Sequence, residues 1–266
     1  MKRFILLTIC ALLSFSCEDV IDVELNEAPP RLVIESNITI SVEGASHYSL
    51  IKLTTTAPFF DDKIPEVENA SVQITDENGI VFPFSHEEKG YYFSSFLPKP
   101  DMEYTLQVIY NEEIYTATTS LVSTVELEYV EQRNDGGFLG DQIELRAYFT
   151  DPPGEKNFYF FTGASERGIS RDVFKDDFFE GNTMFGMYLA DDLSPGDSVQ
   201  FSLYGISGEF YNYMFILLQQ TGGGGGPFET QPATVRGNII NHTNPENYPL
   251  GYFRISEISG LDYVVE

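Results

Sequence analysis

The chain has 266 residues, with 15 Lys and Arg against 41 Asp and Glu, for a formal charge of −26. That balance argues against a nucleic-acid partner and against a hold on anionic lipid by charge alone. Hydrophobic residues make up 42% of it, with 22 Phe and 16 Tyr, which is too much apolar surface for a disordered acidic chain. The length suits two domains of ordinary size.

Met1-Lys2-Arg3 places two positive charges before an apolar run from Phe4 to Phe15. The run falls short of the roughly 18–20 residues of a membrane span and fits the roughly 7–15 of a secretory signal. Ser14-Phe15-Ser16 stands directly before Cys17 and resembles a bacterial lipobox. Residues 1–16 then read as a lipoprotein signal peptide, and Cys17 as the lipid-bearing new N-terminus. Ser14 departs from the usual Leu, although Leu12 and Leu13 lie close by; ordinary signal cleavage is the alternative. Losing Lys2 and Arg3 would leave 13 − 41 = −28. Cys10 and Cys17 are the chain's two cysteines, so the folded body has neither a disulfide nor a thiolate metal site. More than one acyl chain on Cys17 would make a durable anchor.

Residues 17–30 read as a lipidated acidic tether ending in Pro29-Pro30, about 40 Å when fully extended. Ile21, Val23 and Leu25 alternate, so part of the segment reads equally as a first strand. From Arg31 the pattern has period two. Strands are expected at 32–36, 48–53, 70–75, 80–82, 90–93, 104–109 and 114–118, with Asn78-Gly79 supplying the positive φ of a tight hairpin. These define an N-terminal immunoglobulin- or transthyretin-like β-sandwich over residues 31–122.

The weakly patterned stretch from Ser120 to Glu126 marks a boundary. Residues 123–266 form a second β-rich domain, with strands at 142–149, 157–161 and 198–203 and one covering helix. Ser207 is that helix's N-cap, and Phe210, Met214, Leu217 and Leu218 share its apolar face as far as Gln220. The run Gly222 to Gly226 ends it and reads as a mobile loop.

No stretch carries a catalytic motif. His47, His86 and His242 are widely spaced and lack the His-Glu-x-x-His pattern of a zinc helix. Neither Gly163 to Gly168 nor Gly205 to Gly208 has the spacing of a nucleophile elbow. The glycine run lacks the Lys-Ser/Thr of a phosphate loop. Acid pairs at Asp61-Asp62, Asp176-Asp177 and Asp191-Asp192 would suit a structural calcium ion, against the plainer reading of solvated loops. Two carboxylates brought by the fold to glycosidase spacing are a further reading of the acids. Phe174, Phe178 and Phe179, set among charges, read either as a binding patch or as rings packed beneath their own loop.

Cys17-Glu18-Asp19-Val20-Ile21-Asp22, then Leu32-Val33-Ile34-Glu35, Asn69 to Asp76, Tyr115-Thr116-Ala117, Asp151 to Tyr159, Tyr211 to Gln220, Pro227-Phe228, Val235 to Ile239 and Leu250 to Phe253 occur in an order that resembles a Bacteroidota lipoprotein family, the domain-of-unknown-function 4249 family. The resemblance spans nearly the whole mature chain; the length of the glycine run is peculiar to this member. Glu18-Asp19 resembles the signal that exports such lipoproteins to the cell surface. The resemblance implies an outer-membrane lipoprotein, often encoded beside a TonB-dependent receptor, with a part in capturing or handing over a nutrient. It carries over no catalytic residue, and Cys17 is the one site it transfers. The expectation is a surface-anchored binding or accessory protein and not an enzyme. A secreted lipid-anchored hydrolase and a structural envelope spacer are the alternatives.

Overall fold

The computed structural model describes residues 29–44, 47–58, 61, 63–176, 181–221 and 233–266. The signal segment, Cys17 and the tether through residue 28 lie outside the described residues, as do Asp62, Asp177, Phe178, Phe179, Gly222 to Gly226 and Pro227-Phe228. The protein is mainly β. Seven strands come from the first half: β1 (Leu32–Ser41), β2 (His47–Thr55), β3 (Ser71–Asp76), β4 (Val81–His86), β5 (Tyr91–Phe93), β6 (Glu103–Tyr110) and β7 (Glu113–Val122). The remainder supplies β8 (Tyr129–Gly136), β9 (Gln142–Thr150), β10 (Phe158–Ser165), β11 (Gly168–Lys175), β12 (Thr183–Leu189), β13 (Ser198–Gly205), α1 (Gly208–Thr221), β14 (Ile240–Asn241) and β15 (Leu250–Val264).

The first unit is a sandwich closed at both edges. One layer runs β15-β1-β2-β5 and the other β4-β3-β6-β7, and β15 also pairs with β7 at Ile255↔Leu121 and Ser256↔Val122, which completes a ring of strands. Strand β4 turns the other corner: Val81 to Phe84 pair with β3, while Ser85 and His86 pair with β5. Closure leaves no free edge within the ring. Alternate residues point inward and are fully buried, among them Ile34, Ile38, Ile51, Leu53, Ile74, Leu106, Val108, Phe253 and Ile255. The expected β3–β4 hairpin forms, turning through residues 77–80. Gly79 alone has positive φ there, and the Asp76 carboxylate accepts the Asn78 and Ile80 amides at 3.0 and 2.8 Å, holding the turn.

The second unit sets the three-stranded sheet β12-β9-β8 against the four strands β11-β10-β13-β15, an immunoglobulin-type arrangement. Leu145, Phe149, Phe161, Met184, Tyr188, Phe201 and Leu203 fill the space between. Helix α1 covers the other face of the four-stranded layer, where Phe160, Val173, Ile206 and Phe210 are buried. Ser207 caps it as expected, its Oγ accepting the Phe210 amide at 3.2 Å.

A linear division at residue 122 does not describe this chain. Strand β15 belongs to both units: Leu250 to Ile258 pair in parallel with β1, and Ile258 to Val264 pair antiparallel with β13. Strand β14 pairs with β7, and Ile239, Phe253 and Ile255 pack in the first core. The reason is physical. The connection from β13 to β15 is long enough to carry α1 over one unit and β14 back to the other. A fifteen-residue strand, about 50 Å long, then welds the two.

Candidate functional site

The weld has buried residues on both faces. Phe253, Arg254, Ile255 and Ser256 are buried in succession, where a strand covered on one side would bury every second residue. Phe253 and Ile255 face the first core, so Arg254 stands on the opposite face, beneath α1. Its guanidinium carbon lies 4.7 Å from the Tyr204 ring centre, 5.2 Å from Phe210 and 5.9 Å from Phe160. These are cation–π distances. Nη1 donates to Ser256 Oγ at 2.8 Å and Nη2 to Asn37 Oδ1 at 3.5 Å. Among the described residues no ion pair joins Arg254 to a carboxylate. Burial pushes the guanidinium down to about 10, so it remains charged at neutral pH.

Arg254 forms part of the wall of a cavity of about 320 Å³. Strand β1 contributes Glu35 and Asn37, β15 contributes Gly251 and Tyr252, β10 and β11 contribute Phe160 and Arg171, and α1 lays Phe210, Tyr213, Met214 and Leu217 over the top. The rings support one another. Phe210 meets Tyr252 edge-on at 4.9 Å, and Tyr213 lies 5.0 Å from Tyr252. Burial raises the pKa of both tyrosine hydroxyls; the charge of Glu35 adds to the effect at Tyr213, while a Ser207 hydrogen bond opposes it at Tyr252. Gly251 lets β15 approach β1. A Cβ there would stand 2.0 Å from the Ile34 carbonyl oxygen, and its φ is +92°. The cavity has the size of a small-molecule site, and its wall mixes ring faces and aliphatic side chains with polar groups from Glu35, Ser36, Asn37, Arg171 and Arg254.

Three larger grooves among the described residues lack a buried charge. One, of about 540 Å³, runs along the weld past Glu43, Glu126 and Gln200; another, of about 900 Å³, lies beside the exposed Phe138 and Leu139 at the β8–β9 turn; the third, of about 620 Å³, lies between Lys52 and Lys63.

The other residues singled out in the sequence do not converge. His47 opens β2, His86 packs against Tyr92 at 5.2 Å, and His242 Nε2 shares a 2.6 Å hydrogen bond with Thr116 Oγ1. Among the described residues, none of these histidines is hydrogen-bonded to a carboxylate, and no three His, Cys, Asp or Glu side chains are placed to hold a metal ion. Asp61 is exposed, Asp176 is buried, and Asp191 accepts from Gln142 Nε2 at 3.2 Å. Phe174 packs in the second core, 6.0 Å from Phe149, as the packed reading of that segment has it. One acid held in a dense polar network, Glu113, is structural. Glu113 accepts from Tyr115, Asn247 and Asn241, fastening the β14 segment to β7. Sequence inspection passed over Arg254 because its partners come from five separate elements and no local motif surrounds it.

Fold and site together define a mainly β protein of two fused sandwiches with a preformed, ring-lined cavity at the weld. The chain belongs to the family described as "Domain of unknown function (DUF4249)", which it matches over residues 18–260. Among solved structures it is similar to a two fibronectin type-III domain segment from chicken tenascin, at 11% identity and a TM-score of 0.20, covering 67% of this chain and 91% of that one. No curated protein matches the chain. Among the described residues no helix is long and apolar enough to cross a membrane.

Proposed function

We propose that this protein is a lipid-anchored envelope protein, held through Cys17 in the outer membrane, which binds a ligand in the cavity beneath α1 and works beside a TonB-dependent receptor in uptake. The observation that carries the binding role is the preformed cavity, roofed by a helix and floored by a buried charge at the weld of the two units. The anchor reading is supported by the basic start, the apolar run and the small residues before Cys17. The receptor partnership follows from the family resemblance. In this reading the acidic segment from residue 18 spaces the body from the membrane, and its charge discourages lipid contact.

The test is affinity isolation from native membranes in mild detergent, comparing the intact lipoprotein with Cys17→Ala. The intact form is expected in the membrane fraction with a stoichiometric β-barrel receptor, and Cys17→Ala in the soluble fraction without it. Correctly lipidated protein that brings down no barrel would remove the receptor role, and membrane retention of Cys17→Ala would remove the anchor.

A further inference from the structure

The cavity beneath α1 combines features that select for one kind of ligand. Its charged lining residues are Arg171, Arg254 and Glu35, so two positive charges against one negative leave a net +1 on a chain of −26. Arg254 is only 8% exposed and is hydrogen-bonded to two neutral side chains, Ser256 and Asn37. A guanidinium carries more N–H donors than those two acceptors take. Desolvating such a group is costly, and the usual compensation is a carboxylate in bidentate contact, which no described residue supplies. Arg171, on the exposed edge strand β11, likewise forms no ion pair among the described residues. Glu35 is the lone acid of the lining and is solvent-exposed, so water screens its repulsion of an incoming anion more than it screens the attraction of the buried Arg254. The remaining wall joins Ser36 and Asn37 on the β1 side to ring faces and the side chains of Met214 and Leu217 under α1, the part suited to an apolar body.

We infer that the cavity takes a small organic monoanion, a carboxylate with an apolar body, its head on Arg254 and its body against the rings under α1. The inference rests on the cavity being the ligand site proposed above, and it adds the ligand's chemical class. The one net positive charge matches a single carboxylate, and the planar guanidinium matches its two oxygens. The rings, Met214 and Leu217 favour an organic acid over a bare inorganic anion, which would gain nothing from them.

Isothermal titration calorimetry on the soluble mature chain, with phenylacetate, its neutral counterpart 2-phenylethanol and inorganic phosphate as probes, tests this. Phenylacetate is expected to bind at least about tenfold tighter than 2-phenylethanol, and phosphate not to bind. Arg254→Met should abolish that preference while leaving 2-phenylethanol unaffected. Arg171→Met, a change on the exposed edge, should weaken phenylacetate several-fold in a normally folded protein, so the inference stays testable if Arg254→Met fails to fold. Equal affinity for the acid and the alcohol would keep the cavity as a site but overturn the anion assignment. Phosphate binding without phenylacetate binding would overturn the organic-acid class. Binding of none of the three would overturn the cavity as a ligand site as well.

Discussion

Asn37 and Arg254 face each other across the parallel ladder between β1 and β15, with the Arg254 Nη2 donating to the Asn37 Oδ1 at 3.5 Å. One residue opens the first unit and the other comes from the strand that completes the second. The charge on the cavity floor is therefore held where the two units are welded, on a strand, β15, that is buried on both faces at Phe253 to Ser256. That placement builds the site on strands and a helix and not on loops.

A buried guanidinium without a carboxylate is a poor contributor to stability, so Arg254→Met, which keeps most of the volume and removes the charge, should leave the stability unchanged or raise it by about 1 kcal/mol. Arg254→Ala should lower it by about 2–3 kcal/mol, through lost ring contact and the space left behind. Urea unfolding of both variants checks this. A loss above about 3 kcal/mol for Arg254→Met would make the arginine a fold element and not a site element.

Gly251→Ala should be among the most damaging single changes in the chain. The new methyl would meet the Ile34 carbonyl oxygen at 2.0 Å, a backbone atom with little room to move, in a left-handed conformation at φ +92°. A loss above about 3 kcal/mol is expected. Gly154→Ala is the control. Its φ is +86° but nothing lies within 4 Å of the added atom, so conformational strain alone should cost about 1 kcal/mol. Equal effects at both positions would show that steric approach between β15 and β1 is unimportant.

Because β15 is shared, the two cores should melt together. Phe253→Ala in the first core and Phe201→Ala in the second should each cost about 3–5 kcal/mol and shift the same transition. Scanning calorimetry should show one peak whose calorimetric and van't Hoff enthalpies agree. Two peaks, each moved by only one of the substitutions, would mean that the weld does not couple the units.

Acid should loosen the fastening of β14. Burial pushes the Glu113 carboxyl up, but hydrogen bonds from Tyr115, Asn247 and Asn241 together outweigh it and hold the carboxyl below its ordinary value of about 4.5. A carboxyl depressed in the folded state adds stability above its unfolded value, and that contribution is lost as pH falls through the folded one. Melting temperature should therefore fall as pH drops below about 4.5, and Glu113→Gln should fall less steeply there. Parallel curves would remove Glu113 as a source of the acid sensitivity.

The strands of the first unit were readable because one of their faces is core and the other solvent, as in Ser71–Asp76, where Val72, Ile74 and Asp76 are buried in alternation. Strands β8 and β11 were not readable, since they are edge strands with polar residues on both faces, as in Tyr129–Gly136. In β12 Met184 and Tyr188 are buried while Phe185, Met187 and Leu189 point outward and Gly186 lies beneath the Phe161 ring, so apolar residues on both faces blur the period-two signal. The run Phe253 to Ser256 shows no alternation because both faces are covered, so neither the weld nor its arginine was legible. The site shares that fate: Glu35, Arg171, Phe210 and Arg254 come together only through pairing across the two units.

Hydrogen exchange read by mass spectrometry on the soluble chain, with and without saturating phenylacetate, tests the location and existence of the site in one measurement. Protection should concentrate in residues 33–38 of β1, 208–220 of α1 and 250–256 of β15, the segments that line the cavity. Protection elsewhere, as at the β8–β9 turn around Phe138 and Leu139, or none anywhere, would contradict the proposed site.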